Sequence, residues 1–275
     1  MKAKVLSWLG TLLVLAVAVS VGAGLSMAES DQSQQEPSAS GAPPADTKFN
    51  KKEEDAYKVL YAARGDTSEN QIKLGEGFLK KFPQSHYLAG VYSQLTTAYF
   101  KEGQQDKMYE AGNKALELNP NNVDVLALFA MAVPRRVTSA TPAADAAQQY
   151  QKAEAYARHA IELIPNLAKP EGIDDATFEK AKNDELSMAH SGLGLIALRR
   201  QKYEDARNEL TQAVQLASIP DPVDYYLLGN ADVQASYYND AVAAYEKCAL
   251  DGPLIPQCKA AADRAKQDAA TKLGR

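Results

Sequence analysis

The sequence predicts an all-α protein made of consecutive helix–turn–helix hairpins. From Phe49 onward, apolar residues recur with the spacing of a helix. A pattern of small and large residues around Ala206 recurs around Ala241, 35 residues further along the chain. Pro120 and Pro253 stand where second helices would end, because proline cannot continue a helix. Recurrence at a fixed period is typical of repeat proteins, whose hairpins bury their apolar faces by stacking.

The composition limits the classes of function. The 275 residues are 45% hydrophobic and 24% charged, which is enough apolar surface for a sizeable core or an elongated array. The net charge of −5 argues against nucleic acid as a partner, since a phosphate-binding surface needs a basic excess. The two cysteines and three histidines form no cluster with metal-ligand spacing, so neither a metal site nor a cofactor is expected.

The first 28 residues have the parts of a secretory signal peptide. Residues 1–4 carry positive charge, residues 5–25 are almost wholly apolar, and Ser26-Met27-Ala28 is a small-x-small cleavage site. The apolar stretch is 21 residues long, so an uncleaved membrane anchor is the alternative. Either way the body is expected outside the cytoplasm, periplasmic or secreted, because positive charge precedes the span. Residues 29–47 are rich in Ser, Gln, Pro and Ala and predict a disordered linker.

Residues 48–275 form the predicted helical body. Its first hairpin rests on periodicity alone, and Pro83 ends its second helix. The third carries an insert around Arg135 to Pro142, and Asp174 to Gln201 predicts one long helix with an acidic start that suits the helix dipole. The predicted units are about 51–84, 89–122, 123–165, 174–220 and 222–255, followed by a polar-faced capping helix at 256–272.

Two units carry specific motif residues, and a third matches the motif in part. The last unit has Tyr225, Leu228, Gly229, Ala241, Tyr245 and Pro253, and the unit before it has Leu193, Gly194, Ala206 and Ala213 at the same offsets. The 89–122 unit has Tyr92, Leu95, Tyr99, Ala115 and Pro120, but it departs from the pattern at Thr96, Met108 and Gly112. This arrangement resembles the tetratricopeptide repeat. The resemblance implies a right-handed α-solenoid, in which Gly229 with Ala241 and Gly194 with Ala206 let paired helices approach closely.

The resemblance also implies a binding groove. In the family, first-helix residues at fixed offsets line the inner face of the array and contact a partner. The corresponding residues here are Ser93, Thr97, Phe100, Met131, Ser191, Leu195, Arg199, Tyr226, Asn230 and Val233. Relatives that grip a C-terminal carboxylate use Lys and Asn in the groove. Ser93 and Thr97 occupy the first pair of positions here, so that clamp is not expected as a set.

The sequence contains no recognisable catalytic set. It has no H-E-x-x-H, G-x-S-x-G or G-K-[ST] motif, and His86, His159 and His190 are scattered over three units. These histidines are interpreted as packing or surface residues. We therefore expect a protein that is not an enzyme.

Cys248 and Cys258 are the chemical feature that the repeats do not explain. In an oxidising compartment they predict a disulfide that ties the capping helix to the last repeat. Closing this eleven-residue loop would contribute on the order of 2–3 kcal/mol in the chain-entropy account. The alternative is two buried small residues, since Cys248 stands where the motif has Ala.

The sequence thus predicts a protein–protein interaction scaffold of the cell envelope, with an assembly factor as one form of it. The partner is a protein or peptide, and membrane contact is expected only through a retained anchor. The alternatives are an exported solute- or glycan-binding protein, which would need a deep aromatic pocket, and a non-catalytic accessory subunit of an envelope enzyme.

Overall fold

A computed structural model describes residues 50–170 and 172–272 of the chain. The signal peptide or anchor predicted at 1–28 and the linker predicted at 29–47 lie outside these residues. Within the described ranges the chain forms helices and turns, with no strand. None of the helices there is long and apolar enough to cross a membrane.

Eleven α-helices follow one another along the described chain. They are α1 (Lys51–Ala62), α2 (Ser68–Lys81), α3 (Leu88–Lys101), α4 (Gln105–Leu118), α5 (Val123–Arg136), α6 (Ala143–Leu163), α7 (Asp175–Arg199), α8 (Tyr203–Leu216), α9 (Pro222–Gln234), α10 (Tyr238–Cys248) and α11 (Ile255–Lys272). Each odd-numbered helix up to α9 packs against the helix that follows it, and α11 packs on α10. The predicted fold class, an α-solenoid of hairpins with a C-terminal capping helix, is confirmed.

Side chains at the helix starts explain several of these boundaries. Asn50, Thr67, Asn122, Asp174 and Asp221 each accept a hydrogen bond from a backbone N–H in the first turn of the helix that follows. Such caps satisfy N–H groups that have no partner inside the helix. The long helix predicted from Asp174 spans Asp175–Arg199, capped by Asp174.

The predicted insert in the third unit is smaller than its sequence suggests. Helix α5 continues through Pro134 to Arg136, and α6 already begins at Ala143 and runs for 21 residues. Only 137–142 connects the two helices. Residues 143–149, which follow the predicted insert, form the first two turns of α6, because they are Ala, Gln and Asp and Ala has the highest helix propensity.

Within a hairpin, the two helices approach most closely at one pair of residues. In three hairpins the second residue of this pair lies 16 positions after the first. A Cβ at Gly229 would lie 2.5 Å from the Tyr245 ring, and one at Gly194 would lie 2.5 Å from Leu210. The glycines thus face these large residues, while Ala241 and Ala206, one turn earlier, are fully buried. In the 89–122 unit the pair is reversed, since Gly112 is the small partner of Thr96 and lies under the ring of Phe129. This reversal accounts for two of the three motif departures in that unit.

The capping helix is joined to the last hairpin by a disulfide between Cys248 and Cys258. Their Cα atoms are 5.8 Å apart, and both side chains are fully buried. Ala262 and Ala265 of α11 are buried in one apolar cluster with Ala241 and Tyr245 of α10, so the cap covers the open end of the last repeat.

Candidate functional site

A small pocket opens between the first helices of three successive hairpins. Its lining consists of Thr97 and Phe100 from α3, Asp124 and Leu128 from α5, and Glu185 and Met188 from α7. We call these six residues the first-helix pocket. Each helix supplies two residues spaced by three or four, the spacing that places side chains on the same side of a helix. The space open to the centre of a water-sized atom is about 10 Å³, which is room for one such atom.

Glu185 lies at the bottom of this pocket. It is 2% exposed, and its carboxyl group is hydrogen-bonded with that of Asp124. Burial, and after it the charge of Asp124 and this hydrogen bond, raises the pKa of Glu185 well above its ordinary value. The pocket is therefore lined by two acids that are coupled to each other.

Asp124 is held in place by the start of its helix and by α3. It lies in the first turn of α5, which Asn122 caps by accepting from the N–H of Val125. The Ser93 hydroxyl lies 3.2 Å from Asn122 Oδ1 and 3.3 Å from Asp124 Oδ2. Ser93 is fully buried in this contact. It joins α3 to α5 and does not face an open groove.

A second polar site joins α5, α7 and α9. Arg135 donates to Asp221 and Asp224, both at 2.7 Å, and to the hydroxyl of Ser191 at 3.0 Å. Ser191 in turn donates to Asp224 at 2.6 Å. Burial raises the pKa of Asp224, against the opposing effects of the Arg135 charge and the Ser191 hydrogen bond. We call Arg135, Ser191, Asp221 and Asp224 the arginine site.

The predicted groove residues therefore fall into three groups. Thr97 and Phe100 line the first-helix pocket, and Phe100 is exposed. Most of the others contribute to helix packing. Met131 and Leu195 are buried. Tyr226 packs against the ring of Tyr245, and Asn230 accepts a hydrogen bond from the Tyr245 hydroxyl at 2.8 Å. Val233 packs on the apolar cluster between α10 and α11. Arg199, at the end of α7, is exposed.

Sequence reasoning missed four of the six pocket residues: Asp124, Leu128, Glu185 and Met188. Leu128 and Asp124 were within reach, because they lie about one and two turns before Met131, a position that the family offsets mark. Glu185 lies in a polar run, Asn183-Asp184-Glu185, that is typical of a solvated helix face. It is buried because α7 packs closely on α5, where a Cβ at Gly192 would lie 2.1 Å from the carbonyl oxygen of Ala130.

The histidines and acids do not converge on a metal site. Within the described ranges, no group of three or more His, Cys, Asp and Glu residues is arranged to hold a metal ion. His190 instead pairs with Glu209, with 2.7 Å between Nδ1 and Oε2, and so joins α7 to α8. His86 lies 3.3 Å from Glu53 and joins the start of α1 to the turn before α3.

Residues 89–122 match the family model of the tetratricopeptide repeat. The matched residues cover α3 and α4 and the turns that follow them. This hairpin, which supplies Thr97 and Phe100 to the pocket, is therefore similar to a tetratricopeptide repeat. No curated protein matches the chain in a comparison of sequences.

Three solved structures have a similar course of the chain. A thermophilic tetratricopeptide-repeat protein of Thermus thermophilus is 17% identical, with 78% of this chain and 99% of that one covered and a TM-score of 0.48. PilW, described as a type IV pilus biogenesis factor, is 14% identical, with 81% and 94% covered and a TM-score of 0.49. Acl4, described as the assembly chaperone of RpL4, is 10% identical, with 82% and 98% covered and a TM-score of 0.48. At these identities and TM-scores, the three structures do not indicate a function for this chain.

Proposed function

We propose that this chain is a tetratricopeptide-type scaffold of the cell envelope, which binds a segment of another protein along the first helices of its hairpins. The observation that carries the proposal is the first-helix pocket, to which α3, α5 and α7 contribute equally. Phe100 at this pocket keeps 38% of its surface exposed, and an exposed aromatic beside a pocket is a common anchor for a partner. The proposal assigns binding to the chain and no catalysis.

A solute-binding role receives less support from the same pocket. Its lining contains one aromatic side chain, Phe100, and its depth leaves room for about one water-sized atom. A sugar or similar solute needs a cavity of several hundred Å³. A protein segment can instead place a single side chain there and lie across the exposed surface around it.

Site-directed photo-cross-linking in the native host tests the proposal. A photo-cross-linking amino acid at Thr97 is expected to capture one or a few envelope proteins. The matched control carries the same amino acid at Asn113, which is exposed on α4, the second helix of the same hairpin. Capture at both positions alike, or at neither over repeated trials, would count against a partner that binds the first helices.

The envelope location is a separate part of the proposal and rests on the sequence of residues 1–28. We expect the mature protein to begin at Glu29, and N-terminal sequencing of protein purified from the host checks this. A mature protein that keeps Met1 and fractionates with membranes would favour the anchor. A full-length protein in the cytoplasmic fraction would end the export proposal without affecting the binding face.

A further inference from the structure

We propose that the disulfide between Cys248 and Cys258 is a redox switch that holds the capping helix α11 on the last hairpin. In the oxidised chain α11 is closed on α10. In a chain with both thiols free, α11 detaches and leaves the end of the array open. The switch lies at the C-terminal end of the array, so it is independent of the first-helix pocket and of any partner that binds there.

Helix α11 buries little apolar surface of its own. Of its 18 residues, the buried ones are Cys258, Ala262 and Ala265, all of which are small. Each alanine brings a single methyl group to the apolar cluster that it shares with Tyr245 of α10. Because hydrophobic stabilisation grows with the apolar area removed from water, packing alone holds α11 weakly.

The polar contacts between α10 and α11 lie at the surface. Lys266 pairs with Glu246 at 2.8 Å, and both side chains keep more than half of their surface exposed. Near the end of α11, the Lys272 ammonium lies 5.1 Å from the centre of the Tyr238 ring. Exposed ion pairs contribute little to stability, because water and salt screen them. These contacts leave the disulfide as the main constraint on the position of α11.

The disulfide joins the last residue of α10 to the first turn of α11 across the connection 249–254. This connection adds little packing, since Leu250 is 81% exposed and Gly252 turns the chain with a φ of +92°. A crosslink restricts the detached form of α11 more than the closed form. In the chain-entropy account, closing a loop of this length lowers the population of the detached form about 100-fold. Free thiols remove that restriction.

The surface under the cap is apolar. Ala241 and Tyr245 of α10 are buried in the cluster that α11 completes, and Tyr226 and Val242 pack against it. Detachment of α11 exposes this side of α10. Repeat arrays need a polar-faced cap at such an end to stay soluble. The chain with free thiols is therefore an incomplete array, and oxidation completes it.

Burial of the two sulfurs gives the switch a direction. Both cysteine side chains are fully buried while α11 is closed, so a reductant reaches a sulfur only after α11 detaches. A dithiol then breaks the bond in two steps. Its first thiolate attacks one sulfur, forms a mixed disulfide and releases the other cysteine, which takes up a proton. Its second thiol displaces the remaining cysteine, and the dithiol leaves as its own disulfide.

Formation of the bond is the reverse exchange with an oxidised dithiol, which takes up the two electrons. Once it is formed in an oxidising compartment, the closed cap protects it. The proposed export would therefore take the chain from the open form to the closed form. This last step rests on the export proposal, whereas the switch itself does not.

Hydrogen–deuterium exchange of the full chain, measured by mass spectrometry, tests the switch. The reduced sample is unfolded with a reductant and refolded with its thiols kept free. Peptides from 255–272 report on α11, and peptides from 105–118 report on α4, which belongs to another hairpin. We expect α11 to exchange about 100-fold faster in the reduced chain than in the oxidised chain. The exchange of α4 should be the same in both.

Two variants separate the crosslink from other contacts. The double variant Cys248→Ala with Cys258→Ala keeps small side chains at both positions, and its α11 should exchange like that of the reduced chain. Lys266→Ala in the oxidised chain is the matched control. It removes the ion pair with Glu246 and should change the exchange of α11 by less than about fivefold. If the double variant lacks the native circular dichroism, the reduced native chain alone provides the comparison.

Equal exchange of α11 in the oxidised and reduced chains would overturn the proposal, since packing would then hold the cap. Faster exchange of α4 together with α11 would also overturn it, because the disulfide would then support the whole array. Dithiothreitol should reduce the folded chain at least about tenfold more slowly than the chain in urea. Equal rates of reduction would contradict the direction of the switch. A full-length protein in the cytoplasmic fraction would end the export step and leave the switch itself in place.

Discussion

Two aspartates in the first turns of first helices differ in what faces them. Asp124 in α5 and Asp224 in α9 are both buried, and each contacts a serine of a preceding first helix, Ser93 in one case and Ser191 in the other. Asp224 also accepts from Arg135 at 2.7 Å. At Asp124, the neighbour that closes the first-helix pocket is an acid, Glu185.

The difference lies in the charge of the group that meets each aspartate. Arg135 belongs to α5, while its acceptors lie on α7 and α9, so the arginine site joins three successive hairpins with groups of the chain itself. At the first-helix pocket two acids, Asp124 and Glu185, are hydrogen-bonded to each other, and the pKa of Glu185 is raised. The same use of serine and aspartate is therefore combined with an ion pair at one site and with a second acid at the other.

Removing Arg135 should change the free energy of unfolding more than any other substitution at the two sites. We expect Arg135→Ala to lower the free energy of unfolding by about 3–5 kcal/mol, because Asp224 would remain buried without its cation. Urea denaturation followed by circular dichroism measures this. Arg199→Ala, at an exposed position on α7, is the matched control and should stay within about 0.5 kcal/mol. Equal effects of the two variants would mean that the arginine site does not stabilise the array.

The fold could be predicted well from the sequence, because it depends on local signals. Helical periodicity and capping residues such as Asp174 gave the helices, and Gly229 and Gly194 gave the close contacts inside hairpins. The site could be predicted only in part. The family offsets led to Thr97 and Phe100, which lie on one helix. Glu185 depends on how closely α7 packs on α5, a contact between different repeats that spacing along the chain does not report.

That contact gives the second prediction, which tests how tightly α5 and α7 pack. A Cβ at Gly192 would lie 2.1 Å from the backbone oxygen of Ala130, and backbone yields less easily than a flexible side chain. We expect Gly192→Ala to cost about 1–3 kcal/mol in thermal or urea unfolding. Gly77→Ala, in α2 with open space around it, should instead stabilise by about 0.4–1 kcal/mol. A neutral Gly192→Ala would show that α5 and α7 separate easily.

The two serines provide the third prediction. Ser191 donates to Asp224 at 2.6 Å and accepts from Arg135, so Ser191→Ala removes two contacts to charged groups and should cost about 1.5–3 kcal/mol. The Ser93 contacts are longer, at 3.2 and 3.3 Å, and Ser93→Ala should cost about 0.5–1.5 kcal/mol. Denaturation of both variants under one condition checks the order. The reverse order would mean that the arginine site is the weaker junction.

The smallest effect, and the most specific, is expected for Glu185→Gln as a function of pH. The pKa of Glu185 is raised in the folded protein and ordinary in the unfolded chain, so between these values the folded state holds the extra proton. Raising the pH above the unfolded value therefore lowers the stability of the native protein until the folded group ionises. Glutamine has nearly the same shape and does not titrate. At pH 5 the free energies of unfolding of the two proteins should agree within about 0.5 kcal/mol, and the variant should become the more stable one as the pH rises to 8.

Asp224→Asn should have the opposite effect and lower the stability at pH 8, because it weakens the ion pair with Arg135. Thermal melts of the three proteins across this range are the measurement. A constant gap between Glu185→Gln and the native protein would show that Glu185 ionises as an ordinary surface acid, and the contrast between the two sites would then disappear.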